Sequence, residues 1–362
     1  MNSKLFKLAF LTALISAAAI AALFIPLNSS LAAGAFNPKP LFEVGVGDKS
    51  PEMLGESTDE SKILNYDKFY YPAAMAVSEQ ENRIFVLDSI KNRICAYTLS
   101  GSLAYEIKLP FEHHAIDMTY FKNFKRFFIV FQQAASIGVV DIAENGGKAA
   151  ISASKLLGLD AALGADKTQP VNIQNVWPCG ASSSEKNTLL LTAFFCDYKN
   201  ILVNYENGSL TKAKTDFKIK DYAVASSAGP YIMALDAGTA ESRLVRENIA
   251  DGDTDWHVLL KDLTLAKPGF NCRNIRIIGN DGAGCSYVEA HYGFGEDKIE
   301  KTFVYKFTKN GRFGGRTEIF QSPEMLTNRF VAVDAGGAIF YMKKDEKNNK
   351  IQFYKFTIDE LN

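Results

Sequence analysis

Beyond residue 40, apolar and polar residues alternate at period two in short runs, with sharp turn signals between them. The clearest stretch is 71–109, YPAAMAVSEQENRIFVLDSIKNRICAYTLSGSLAYEIKL. Residues 73–77 alternate small and apolar side chains, 83–87 and 93–98 are nearly continuous apolar runs, and 103–109 alternates again. Runs of this length and period are strands; a helix needs apolar positions three and four residues apart. Between them lie 79–82, 88–92 and Ser100-Gly101-Ser102, rich in turn formers. Four consecutive strands with tight turns make one blade of a propeller, in which such a sheet is repeated around an axis. Strands within a blade are lettered A to D, with A next to the axis.

The same grammar recurs five more times. A second blade is read at 115–120, 126–131 and 137–143, followed by the turn Glu144-Asn145-Gly146-Gly147. A third has 175–181, 189–196 and 201–205, and a fourth runs from Tyr222 through 232–235 and 243–245 to 256–260. The fifth has 273–278, 285–290, 303–307 and 317–320; the sixth has 330–333, 339–342 and 351–356. That last blade is one strand short, while residues 41–46, LFEVGV, form a strand with no blade of its own. Pairing 41–46 beside 351–356 closes the ring and removes two exposed edges. The expected fold is therefore an all-β, six-bladed β-propeller closed by an N-terminal strand that completes the last blade. Among the connections, 48–68 is acidic and polar, and 151–172 is long enough to hold a short helix, expected around 154–162.

Blade one resembles an NHL repeat, with YPAAMAV, IFVLDS and NRICAY in that family's order and spacing. Asp88 ends strand B and Arg93 opens strand C, so the two can brace the turn between them. Partial echoes stand at Asp236 with Arg243, at Asp197 with Lys199-Asn200-Ile201, and at Asn349-Lys350-Ile351. Blade six adds VAVDAGGAIFYM, similar to another phrase of these repeats, whereas blades two and five depart from the pattern. The resemblance implies a recognition platform, since many NHL rings bind other molecules. Six-bladed propellers also include metal-dependent lactonases and an amidating lyase.

The N-terminus follows a different pattern. Lys4 and Lys7 precede an apolar run over 8–25, broken only by Thr12 and Ser16; Pro26 and Asn28-Ser29-Ser30 end it, and an A-x-A site follows at Ala33 and Ala35. This order is that of a secretory signal peptide, which makes 1–35 the signal and 36–362 the propeller domain. An uncleaved anchor is the alternative, because the apolar run nearly spans a bilayer, and only then is a membrane a partner. The expected location is secreted or periplasmic. Removing the leader with its two lysines takes the formal charge from −1 to −3, too weak a field to draw nucleic acid. Five cysteines are an odd number: Cys179 and Cys196, and likewise Cys272 and Cys285, lie on neighbouring predicted strands of one blade. An oxidising compartment would permit both bridges, yet counting from the turns leaves each pair about three or four residues out of register. Cys95 reads as a buried small hydrophobe.

Propellers hold ligands at the channel mouth, where the D–A and B–C connections gather. There the sequence places Tyr71, Glu112-His113-His114, Asn172 with Asn175, Lys220-Asp221, Asn271 with Arg273, and Asn328-Arg329. Tyr71, His114, Asn175, Asp221, Arg273 and Arg329 are the candidate ligand-binding residues, suited to an anionic or sugar-like ligand through bidentate arginine contacts. A solvated loop rim is the bland alternative. No catalytic residue is assigned, because no nucleophile elbow or phosphate-cradling glycine loop is present. A zinc site wants three protein ligands, and of four histidines only His113 and His114 fall near the mouth. Calcium wants six to eight oxygens, and the rim offers Asp221 and Glu112. No metal or other cofactor is expected. Residues 251–255, DGDTD, superficially resemble a calcium loop but have Trp256 at the glycine position, and read better as a hairpin tip. Gly293-Phe294-Gly295 with His291 and Tyr292 reads as a long B–C loop able to act as a flap. The expected molecule is an exported, monomeric propeller that binds a protein, glycan or small anionic ligand at the channel mouth. The alternatives are a metal-assisted hydrolase or lyase acting on an ester or lactone, and a structural part of an envelope complex.

Overall fold

The computed structural model describes residues 39–47, 54–55, 72–132, 135–159, 172–179, 187–194, 198–213, 225–228, 231–236, 243–248, 253–259, 271–293, 301–319, 329–345 and 347–358. Among these, twenty-four strands form six four-stranded antiparallel sheets. Blade one is β2 (Ala74–Ser78), β3 (Arg83–Asp88), β4 (Arg93–Thr98) and β5 (Leu103–Lys108). Blade two is β6 (Ala115–Phe121), β7 (Arg126–Phe131), β8 (Ser136–Asn145) and β9 (Lys148–Gly158). Blade three is β10 (Asn172–Cys179), β11 (Asn187–Phe194), β12 (Tyr198–Glu206) and β13 (Ser209–Lys212); blade four is β14 (Ala225–Ala228), β15 (Tyr231–Asp236), β16 (Arg243–Asn248) and β17 (Thr254–Leu259). Blade five is β18 (Asn271–Asn280), β19 (Ser286–Gly293), β20 (Lys301–Phe307) and β21 (Phe313–Ile319). Blade six is β22 (Val331–Val333), β23 (Ile339–Asp345) and β24 (Lys350–Phe356), completed by β1 (Phe42–Gly45).

The A strands β2, β6, β10, β14, β18 and β22 touch in that order, and β2 meets β22, so the sheets surround one axis. The chain is a six-bladed β-propeller. Its closure is the expected one: β1 lies antiparallel to β24, with Phe42 opposite Phe353 and Val44 opposite Ile351. The Phe42 and Phe353 rings stack at 4.5 Å, and Asn349 Nδ2 donates to the Val46 carbonyl at 3.1 Å. Middle strands such as β3 are buried on both faces, which explains their continuous apolar sequence; the outer β5 alternates because one face meets solvent. The seams between blades are aromatic. Phe85 of blade one meets Phe127 of blade two edge-on at 5.2 Å, and Phe128 meets Tyr205 of blade three likewise at 5.2 Å. Full burial of one such side chain stabilises by roughly 1.5–3 kcal/mol, so the seams hold the ring while the ladders hold each blade.

The brace expected in blade one is present. Arg93 Nε donates to Asp88 Oδ2 at 3.0 Å, both residues are buried, and the other arm of Arg93 reaches Glu106. Burial raises the Asp88 carboxyl and Arg93 opposes the rise; the Gly55 amide adds hydrogen bonds of 3.1 Å to both carboxylate oxygens. Asp88 thereby pins the segment after β1 to the B–C turn. Cys95 is buried as expected, and burial pushes its thiol up to about 12.

Three expectations need correction. Residues 148–158 continue a long hairpin as β9 instead of entering a helix near 154. The Gly146-Gly147 turn, with both φ values positive, lets Asn145 pair with Lys148 and extends the register as far as Ser136 with Gly158. His291 and Tyr292 belong to β19, not to a loop, because the β18–β19 ladder runs on to Asn271 opposite Gly293. Cys272 and Cys285 are farther out of register than the turn count suggests. Cys179 opposes Thr188 at one end of the β10–β11 ladder, while Phe194 opposes Asn172 at the other; Cys196 lies outside the described residues. Cys272 opposes Tyr292, at the far end of its hairpin from Cys285. At about 3.3 Å per residue, that hairpin exceeds disulfide reach several-fold.

Candidate functional site

Three A strands, those of blades two, three and five, are irregular at the end of the channel reached by the D–A connections. The ladder slips between Ala115 and Asp117 in β6, between Ile173 and Asn175 in β10, and between Cys272 and Asn274 in β18. Bulges re-aim side chains, and here they accompany charged residues in otherwise small or apolar runs. Asp117 is fully buried and Arg329, just before β22, nearly so. Arg329 is anchored by its backbone to blade one: its N–H donates to the Ala73 carbonyl at 3.3 Å, and its carbonyl accepts from Met75 N–H at 3.0 Å.

Asp117 Oδ2 accepts from Arg329 Nη2 at 2.9 Å, from the Val176 N–H at 3.0 Å, and from Asn175 Nδ2 at 3.5 Å. The same Arg329 Nη2 donates to the Val176 carbonyl at 2.6 Å, and the guanidinium lies 4.0 Å over the Trp177 ring. One ion pair thus ties blades two, three and six together. Burial raises the Asp117 carboxyl, with Arg329 opposing; burial lowers the Arg329 guanidinium, with Asp117 opposing and Arg276 pushing the same way as burial. Asp117 Oδ1 and Arg329 Nε are buried and have no hydrogen-bond partner among the described residues.

A second pair comes from blade five. Arg276 of β18 stands opposite Glu289 of β19 and donates to it through Nε at 2.7 Å. The other Glu289 oxygen meets His291 Nε2. Burial alone would raise the Glu289 carboxyl, but Arg276 and His291 outweigh it and hold the group down at about 2. Phe330 lies beneath both partners, 5.4 Å from the Arg276 guanidinium and 6.3 Å from the His291 ring. Two guanidiniums, each held by a carboxylate and each over an aromatic ring, therefore lie within electrostatic reach of one another. Such an array recognises oxyanions by charge-assisted hydrogen bonds.

Of the residues expected at the mouth, Arg329 and Asn175 converge on Asp117. His114 is half-buried three residues before Asp117, its carbonyl accepts from Gln132 N–H at 2.8 Å, and burial lowers its imidazole. Arg273 lies at the β18 bulge, with its side chain outside the described residues; Tyr71 and Asp221 lie outside them altogether. Sequence reasoning missed Asp117, Trp177, Arg276, Glu289 and the placement of His291. A usable signal was present, since Asp117 in AIDMTYF and Glu289 in SYVEAHYG are lone charges inside strands that must be buried. His257 stands exposed on the outer strand β17, and Asp255 beside it pairs with Arg246 at 2.9 Å, as befits a hairpin. Among the described residues no three His, Cys, Asp or Glu side chains gather as a metal cluster, and no helix is long and apolar enough to cross a membrane.

No protein-family description matches the chain, and no curated protein does. Solved propellers do resemble it. The chain is similar to a luciferin-regenerating enzyme at 10% identity, covering 80% of this chain and 93% of that one with a TM-score of 0.47. It is similar to regucalcin, a calcium-binding protein of Agrobacterium tumefaciens, at 13% identity, covering 80% and 90% with a TM-score of 0.45. Virginiamycin B lyase of Staphylococcus aureus gives 11% identity, 84% and 87% coverage, and a TM-score of 0.41. Likenesses this distant leave the chemistry to be read from this chain's own residues.

Proposed function

We propose that this protein is a binding propeller that takes a small organic acid into the D–A end of its channel, with Arg329 and Arg276 as the recognising cations. The observation that carries the reading is the buried Arg329 guanidinium, whose Nε lacks a hydrogen-bond partner among the described residues although Nη2 is doubly engaged. A buried donor left unsatisfied costs about 1–3 kcal/mol, and a carboxylate oxygen placed there recovers it. The adjoining Asp117 Oδ1 accepts from a hydroxyl on the same ligand, which favours hydroxy acids over plain ones. The resemblance of blade one to NHL repeats agrees with a recognition role. The leader-like 1–35 supports a secreted or periplasmic protein, and an intact mass beginning at residue 36 is the expected result.

The test is isothermal titration of the full chain with acetate, lactate, succinate and citrate. Saturable binding of at least one acid is expected, weakened about tenfold or more in Arg276→Gln and Arg329→Lys. A folded native chain that binds none of the four, or variants that bind as tightly as the parent, would remove the arginine mouth as the site.

A further inference from the structure

At the opposite end of the channel, the A–B turns of blades six, one and two enclose a second cleft of about 320 Å³. That is the lower limit of small-molecule pockets. Glu79 reaches it from the 3-10 turn Glu79–Glu81, Asp334 from the turn between β22 and β23, and Lys122 from the turn after β6. Val77, Val333 and Ala335 give it an apolar wall. Two of its polar groups are more than nine-tenths buried and incompletely satisfied: Ser78 Oγ and Asp334 Oδ2 have no hydrogen-bond partner among the described residues. Asp334 Oδ1 is fully used, accepting from the Gly336 and Ala338 amides at 2.9 and 2.8 Å. Oδ2 is left to face Glu79 across the cleft.

Glu79 meets Asp334 directly and is itself paired with Lys355 of β24. Lys122 donates to the Gln80 side-chain oxygen Oε1. From blade five, Tyr287 donates to Asp281 at 3.0 Å, and both lie against the same turn beside Gly337. Two carboxyls thus face one another, Glu79 carrying Lys355 on its own side, while Asp334 Oδ2 and Ser78 Oγ have no hydrogen-bond donor among the described residues. Burial, then the contact with Glu79, raises the Asp334 carboxyl to about 6, so the two acids hold one proton between them only below about that pH.

We propose that this cleft is a binding site for a small alkylammonium compound, whose N–H groups bridge Asp334 Oδ2, Glu79 and Ser78 Oγ while its carbon chain lies along Val77 and Val333. The ammonium takes the place of the proton that the pair holds at lower pH. A divalent ion suits the site poorly, because calcium wants six to eight oxygens and one Glu79 oxygen is already held by Lys355. An anion is disfavoured, because both lysines are engaged. The site is separate from the arginine mouth and independent of what binds there.

The experiment is isothermal titration of the full chain with n-butylammonium chloride at about pH 7.5 and about pH 5. Saturable one-to-one binding is expected at the higher pH, weaker by about tenfold at the lower, since one proton must then be displaced per ligand. Asp334→Asn keeps the Oδ1 acceptor for the turn and is expected to abolish binding. Glu79→Gln, on an exposed turn, does the same and guards against a folding defect in the first variant. Arg329→Lys leaves this binding unchanged, which separates it from the acid site. Absence of saturation in the native chain at the higher pH, or binding indifferent to pH, overturns the proposal. Stoichiometric displacement of the probe by calcium chloride overturns the ammonium assignment in favour of a metal.

Discussion

At the D–A end of the channel, carboxylates of blades two and five are matched by guanidiniums. Asp117 is matched by Arg329 of another blade and Glu289 by Arg276 of its own. At the A–B end, carboxyls of blades one and six face each other, and burial with that contact raises Asp334 to about 6, so the pair holds a proton only at lower pH. The scaffold is the same, since all four carboxyls, Asp117, Glu289, Glu79 and Asp334, stand at the ends of A strands or on the strands beside them. The difference lies in what neutralises the buried charge. A guanidinium stays charged at any working pH, so the first end is fixed electrostatically and its removal leaves an orphan. A shared proton is lost near pH 6, so the second end changes its charge within the physiological range.

The largest expected effect comes from deleting 41–46. Blade six then loses its outer strand, and with it the seating of both Arg329 and Asp334; a melt followed by circular dichroism is expected to fall by more than about 10 °C or lose cooperativity. A deletion that melts like the parent would sink the closure. Next comes Arg329→Met, which strands Asp117 without its partner and is expected to cost about 3–5 kcal/mol in urea unfolding. The double variant Asp117→Leu with Arg329→Met is expected to recover part of that loss, because no charge remains buried. Equal losses in single and double variants would mean that the pair is held for packing alone.

Acid unfolding gives a smaller effect. The Glu289 carboxyl is depressed from its ordinary 4.5 to about 2, so its stabilisation is complete above about pH 4.5 and is lost as pH falls through about 2. Glu289→Gln is expected to flatten that limb of the stability curve. The smallest effect has the opposite sign. Asp334 is raised from 3.8 to about 6, so the folded state holds this proton more tightly and stability declines as pH rises between those values. Asp334→Asn is therefore expected to melt about 1–3 °C higher than the parent near neutrality and no higher near pH 4. A uniform shift at both pH values would show that the proton plays no part.

The parts of the molecule that repeat were legible in the sequence. Blade one, the odd strand at 41–46 and the Asp88–Arg93 brace each rest on local spacing, and local spacing survives translation into strands and turns. Arg329 and Asn175 were reachable because they stand just where a D–A connection enters an A strand. The pairings of Asp117, Arg276 and Glu289 were not, since these residues sit inside strands whose partners lie in other blades or on other strands. Arg329 and Asp117 are 212 residues apart, and nothing in period-two patterning reports such a pairing. The helix expected near 154–162 failed for a related reason. Strand β9 is an outer strand, mostly exposed, and carries too little apolar alternation to declare itself.

The seam between β1 and β24 also has a consequence for the order in which the protein comes into being. Lys350 and Glu43, which pair across that seam at 2.8 Å, are 307 residues apart. The first strand of the ring to leave the ribosome is thus the last to find its neighbour, and it must wait unpaired while five blades are made. Contacts of such separation form slowly, and waiting strands with open edges invite the wrong partner. Leu41, Phe42, Val44 and Val46 make that strand apolar, so its safety during synthesis depends on something other than its own chemistry. A product cut short before β24 would leave β1 without its partner and the ring unsealed.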